Sequence, residues 1–261
     1  MLNKLMKYEL KATSRLLVPL YLILFILSIV NRFIFNFNSQ DVVFKIVNTF
    51  LMISYVISIF AVLIVTVIYM IVRFYKNLLT DEGYLMFTLP TKTHELITSK
   101  LIITVLWTII SVAAVLISLF IAFSSQADFV DILNAVRDAI TSLNRDFGGN
   151  WIFALIEGIV MLLLSLTTNI LMIYASIALG QLFSKHKIIG SFISYIAIYT
   201  VIQFAMIIVL VILGAFNSNV ELGVSVLPKV ILPTSIIILA AGSSCFYFGT
   251  NYIFKKKLNL D

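Results

Sequence analysis

Six apolar runs, each long enough to cross a bilayer, alternate along this chain with short polar connections: residues 16–35, 46–72, 101–123, 151–179, 188–216 and 231–254. A hydrocarbon core about 30 Å thick takes ~20 helical residues. In lipid, moreover, only a helix or a closed barrel satisfies its own backbone hydrogen bonds. Composition agrees, with 61% hydrophobic and 11% charged residues, against about 25% charged in a soluble domain. The expected fold is all-α: one polytopic membrane domain over residues 1–261 with six transmembrane helices and no appended soluble domain.

Cationic residues set the expected orientation, because short cytoplasmic loops collect Lys and Arg. Lys4, Lys7, Lys11 and Arg15 precede the first run, and Arg73, Lys76, Lys92 and Lys100 lie between the second and third. Lys185 and Lys187 separate the fourth and fifth, and Lys255, Lys256 and Lys257 follow the sixth. The alternate connections hold only Arg32, Lys45, Arg137, Arg145 and Lys229. Both termini are therefore expected in the cytoplasm, with the chain in the cell membrane. The net charge of +6 is mainly this topology signal, which argues against nucleic acid as a partner and leaves the lipid bilayer. No small-residue cleavage site follows the first run, so it is expected to stay as an anchor. The single cysteine, Cys245, lies inside the sixth run, so no intrachain disulfide is expected.

Residues 1–15 have the pattern of an N-terminal amphipathic interfacial helix. At 100° per residue Lys4, Lys7, Lys11 and Arg15 share one arc, and Leu2, Leu5, Met6 and Leu10 face away. Glu9 projects from the middle of the apolar face. It either snorkels or pairs with a local lysine, or it forms an ion pair with another cytoplasmic segment or a partner subunit.

The connection 73–100 is the longest on the cytoplasmic side. A polar turn, Asp81-Glu82-Gly83, precedes Tyr84, Leu85, Met86, Phe87 and Leu89, and Pro90 closes this apolar cluster. Thr91 suits an N-cap for a helix through His94 and Glu95 to Lys100. An exposed apolar cluster marks a contact surface, here either the headgroup region and bundle underside or a cytoplasmic partner.

On the other side, residues 124–150 carry Asp128, Asp131, Asp138 and Asp146 against Arg137 and Arg145. Phe129, Ile132, Leu133, Val136, Ile140 and Leu143 recur between them at helical spacing. This predicts one amphipathic helix on the extracellular surface, ended by Gly148-Gly149, with Trp151 at the interface. The readings are a surface helix or a lid over an exit path. Pro228 and Pro233 suggest a broken or re-entrant start to the sixth span.

Ionisable and amide groups inside a membrane are expensive and rare. Glu157 is the one carboxylate within a run, and Asn169 and Gln203 lie near the middles of the fourth and fifth runs. These three are candidates for lining a substrate path. The competing role for the amides is interhelical hydrogen bonding. Gly242-Ser243-Ser244 allows close helix packing. The chain has no GxxxxGK[ST] loop, no HExxH and no GxSxG, so catalysis by this chain is not expected. A metal site and a cofactor of its own are not expected either.

The whole chain resembles the membrane subunits of ABC-2-type exporters, especially the small separate-chain permeases of Gram-positive bacteria. The resemblance rests on the opening Leu2 to Lys11, on six spans with both termini inside, and on Asp81 to Leu85 through Leu89-Pro90 to Glu95-Leu96 and Ser99-Lys100. It also rests on Gly180 to Lys187. It implies a homodimer or heterodimer of membrane subunits above two separate ATPase subunits, which hold the ATP and Mg. It assigns the coupling contact to Asp81, Glu82, Gly83, Tyr84, Leu85, Phe87, Pro90, His94 and Glu95. A secondary contact falls on Glu9, Gln181, Lys185 and His186. Its small members include exporters of phenol-soluble modulins and exporters that confer resistance to antimicrobial peptides, which points to an amphipathic, lipid-like or peptide cargo. Two other classes share the pattern: a non-transport module that recruits a cytoplasmic partner, and an ion-coupled carrier using Glu157.

Overall fold

The computed structural model describes residues 1–35, 41–80, 83, 92–123, 126–147, 151–183, 186–216 and 231–256. They form seven helices: α1 (Leu2–Phe35), α2 (Val42–Leu79), α3 (Thr93–Phe123), α4 (Gln126–Phe147), α5 (Trp151–Gly180), α6 (Lys187–Phe216) and α7 (Leu232–Lys256). All but α4 are long and apolar enough to cross a membrane. No strand occurs among the described residues. The protein is an all-α, multi-pass membrane protein.

Where the helices exceed the apolar runs, the excess is informative. α1 has 34 residues, about 51 Å at 1.5 Å per residue, well over the ~30 Å of hydrocarbon. Residues 2–15 are continuous with the first span, so the basic segment is the opening of α1 and no separate helix. No glycine interrupts it, and once a helix is nucleated each further residue adds a bond at little cost. Pro19 lies inside α1 and removes the N–H that would bond the Arg15 carbonyl. Arg15 is exposed where the apolar run begins, so water can take that bond. α2 and α3 likewise run past their apolar stretches, through 73–79 and 93–100.

The chain divides into two compact units. The first comprises Met1–Phe74 and Glu95–Val136. Its buried face on α1 reads Glu9, Thr13, Leu17, Tyr21, Leu24, Ser28 and Asn31, the three- and four-residue spacing of a helix packed along one seam. Around Leu17 and Leu24 gather Val62 and Met70 of α2 and Ile103, Ala114 and Val115 of α3. Lipid tails are as apolar as these side chains, so close packing and hydrogen bonds hold such helices together more than hydrophobicity does. The bonds are present. Trp107 Nε1 donates to Thr13 Oγ1 at 2.7 Å, and Thr13 donates to the Glu9 carbonyl at 2.9 Å. The Tyr21 and Trp107 rings lie 5.9 Å apart. Tyr55 and Ser118 hydroxyls meet at 3.1 Å. At the far end Asn31 Nδ2 donates to the Leu51 carbonyl at 3.3 Å, and Arg32 to the Ile121 carbonyl at 3.3 Å. The start of α1 thus lies beside the end of α2 and the start of α3, and its end beside their opposite termini. The three helices run up, down and up.

The second unit comprises Tyr75–His94 and Arg137–Asp261, with α5 packed on both α6 and α7. Thr168 Oγ1 reaches the Leu239 carbonyl at 3.2 Å, one turn from Gly242, whose helix approaches the same threonine. The hairpin from α5 to α6 is tighter. A Cβ added at Gly180 would strike the Ser191 hydroxyl and come within 2.5 Å of the Ser191 backbone nitrogen. Backbone cannot rotate aside, so Gly180→Ala should lower stability by about 1–3 kcal/mol, seen as a lower thermal unfolding midpoint in detergent. At Gly242 the added Cβ would meet only the Thr168 methyl, at 3.8 Å. Gly242→Ala is therefore expected to stay within about 0.5 kcal/mol of wild type. At Gly242 the neighbouring helix leaves room for a methyl group, and Ser243 and Ser244 bond the Ala240 carbonyl of their own helix; it is Gly180 that needs to be glycine.

Candidate functional site

Three helix extensions meet at one carboxylate. Glu9 lies two turns ahead of the first apolar run, Arg73 directly after the second, and Lys100 directly before the third. Arg73 engages Glu9 with a forked contact: Nε donates to Oε1, and Nη2 to Oε2 at 3.4 Å. Lys100 Nζ approaches Oε2 at 3.3 Å. Two donors of a planar guanidinium on two carboxylate oxygens fix orientation as well as distance. Burial by itself pushes the Glu9 carboxyl up; Lys100 first, and Arg73 with it, more than offset this, so it titrates below the ordinary carboxylate range. Glu9 is therefore ionised at neutral pH, and among the described residues it pairs with two distant segments and not with a neighbouring lysine.

The geometry follows from helical spacing. Glu9 and Thr13 are four residues apart on α1, hence on one face, and Thr13 is held by Trp107 of α3. That bond sets the rotation of α1 against α3 and turns Glu9 toward Lys100, two turns before Trp107. Arg73 and Lys100 are also the two roots of the connection from α2 to α3. One carboxylate thus ties both ends of that connection to the first helix. In the sequence neither Arg73 nor Lys100 is marked as a partner of Glu9. Their pairing with Glu9 spans more than 60 residues, and no local pattern announces it.

The other residues singled out in the sequence fall as follows. Gly83 is described, and a Cβ there would collide with the Leu78 backbone. Asp81, Glu82, Tyr84, Leu85, Phe87, Pro90 and the N-cap candidate Thr91 lie outside the described residues. His94 and Glu95 open α3, and Tyr247 of α7 donates to the His94 carbonyl at 3.3 Å. Gln181 is buried after α5, with no hydrogen-bond partner for Nε2 among the described residues. His186 is exposed, its carbonyl accepting from Gly190 at 2.8 Å, and Lys185 lies outside the described residues. Pro233 is the second residue of α7, within the first turn where proline is tolerated; Pro228 is not described.

Glu157 is half-buried on α5, whereas Asn169 and Gln203 are exposed. Asn169 Nδ2 bonds the Ser165 carbonyl of its own helix at 2.8 Å, and the described interhelical bond belongs instead to its neighbour Thr168. No described hydrogen bond or ion pair joins Glu157, Asn169 and Gln203. Among the described residues no three His, Cys, Asp or Glu come together as a metal site would require.

No protein family model, no curated protein and no solved structure matches this chain.

Proposed function

We propose that this chain is the membrane subunit of an ATP-driven exporter of the ABC-2 type. It resides in the cell membrane with both termini in the cytoplasm. With a second copy or a sister chain it forms the path for an amphipathic or lipid-like cargo, of which a peptide is the favoured class. Separate cytoplasmic ATPase subunits hold ATP and Mg and drive alternating access. The observation that carries this reading is the tie from Glu9 to Arg73 and Lys100.

A coupling segment must deliver a displacement to several spans at once. A connection rooted on two helices that move independently would dissipate that displacement. Here Arg73 of α2 and Lys100 of α3 share one buried carboxylate on α1, so the helices that flank 80–92 in the chain are tied to a third. The apolar cluster Tyr84 to Leu89 is suited to seat in a cleft of the ATPase. An aromatic share of 13% with few charges suits an amphipathic cargo better than an ion or a sugar.

The test is affinity purification of the chain in mild detergent, followed by an ATPase assay of what accompanies it. A stoichiometric ATPase is expected with the wild type and is expected to be lost when Tyr84, Leu85 and Phe87 are replaced by serine. Glu9→Gln is expected to keep the ATPase bound while uncoupling its hydrolysis from cargo. Absence of any nucleotide-binding protein from the wild-type preparation would sink the exporter reading in favour of the recruiting module.

A further inference from the structure

α4 carries an apolar stripe that stays largely exposed among the described residues, with Leu143 half-buried at its end. Leu133, Val136 and Ile140 are 53%, 51% and 41% exposed. With Leu143 they fall within an arc of about 80° at 100° per residue. Asp131, Asp138 and Arg145 occupy the opposite side.

Chain geometry restricts where this helix can be. It has 22 residues, a length of about 33 Å. It is joined to α3 by residues 124–125 and to α5 by residues 148–150, connectors that reach at most ~11 and ~14 Å. Phe123 ends one apolar run and Trp151 begins the next. Both therefore mark a hydrocarbon boundary, and α4, with four aspartates and two arginines, is too polar to cross between faces. An upright helix would carry one end farther from the bilayer than either connector can return. α4 must lie along the membrane surface, on the face opposite the Glu9 cluster.

We infer that α4 is a lipid-docked helix whose Leu133, Val136, Ile140 and Leu143 insert at the boundary between headgroups and acyl chains of that leaflet. Its polar side then faces water. Aspartates outnumber arginines on the helix, so attraction to anionic headgroups contributes nothing and burial of the aliphatic stripe supplies the binding. A zwitterionic surface is sufficient. This holds whether or not the chain couples to an ATPase, since it rests on the connectors and the stripe alone.

The full chain, reconstituted in phosphatidylcholine vesicles, supplies the test. Leu133→Cys, Val136→Cys and Asp138→Cys, each combined with Cys245→Ser, would carry an environment-sensitive fluorophore. The label at 133 and 136 is expected to emit to the blue, to be quenched by spin-labelled lipid and to resist aqueous iodide. The label at 138 is expected to do the reverse. Equal iodide quenching at all three positions would overturn the inference, because the stripe would then be in water. Protection at 133 and 136 from both iodide and spin-labelled lipid would overturn it as well, since a protein surface, such as a second copy, would then be the cover. Val136→Cys provides the reading if Leu133→Cys does not fold.

Discussion

Replacing Glu9 by glutamine is expected to destabilise the chain by about 3 kcal/mol, because it leaves two cations facing a neutral amide at a buried site. Lys100 is only 4% exposed and has little access to water as a substitute. The effect would appear as a lower midpoint of thermal unfolding in detergent. Removing the cation as well separates charge from packing: Glu9→Gln with Lys100→Met should recover much of the loss, giving a coupling of about 2 kcal/mol in a double-mutant cycle. Additive losses would mean that the pair does not interact as the geometry indicates. The pH dependence follows from the lowered carboxyl. A group whose folded value lies below its unfolded value stabilises fully above the unfolded value, and that contribution is lost as pH falls through the folded one. Wild-type stability should therefore drop in the acid range, and Glu9→Gln should flatten that part of the curve. A buried ion pair need not add net stability over an apolar substitute. What this pair supplies is the mutual register of three helix ends.

Trp107→Ala is expected to cost about 3–5 kcal/mol, since Trp107 fills the centre of the first unit. It is 5% exposed, packs on Tyr21 and donates to Thr13. Trp107→Phe keeps a six-membered aromatic ring but loses the pyrrole part together with its donor, so about 1–2 kcal/mol is the expected loss, well short of the Ala variant. Comparing the two thermal midpoints decides what holds α1 to α3. A Phe variant as unstable as the Ala variant would assign the contact to the hydrogen bond and refute the packing argument. Tyr21 offers a second check on this layer. Its buried hydroxyl has no hydrogen-bond partner among the described residues, so Tyr21→Phe should be tolerated where Trp107→Ala is not.

The spans were legible because lipid enforces a local rule: each crossing segment must satisfy its own backbone, so length and hydropathy alone mark it. The apolar runs and the helices agree to within a few residues at the ends away from Glu9. They differ where α1, α2 and α3 continue into polar sequence, since a helix once formed extends wherever nothing breaks it. The amphipathic α4 was legible for a similar reason, its period lying within one segment. The role of Gly242 was only half visible, and that of Gly180 not at all. Whether a glycine is required depends on what lies opposite, and Ser191 reaches Gly180 only through the hairpin.

Glu9 marks the boundary most clearly. From the residues alone its misfit with the apolar face of 1–15 was plain, and two partners of different kind remained open, a lysine nearby or a cation on another segment. The choice rested on the rotation of α1, which Trp107 sets from 94 residues away, and on α2 staying helical through the end of its apolar stretch, which brings Arg73 level with Lys100. By itself the sequence determined the number of apolar spans and the amphipathic period of α4, both consequences of interactions within single segments. Which helices pair, which charges meet and which glycine is indispensable were decided by tertiary structure, because those depend on faces turned toward one another by contacts far apart in the chain.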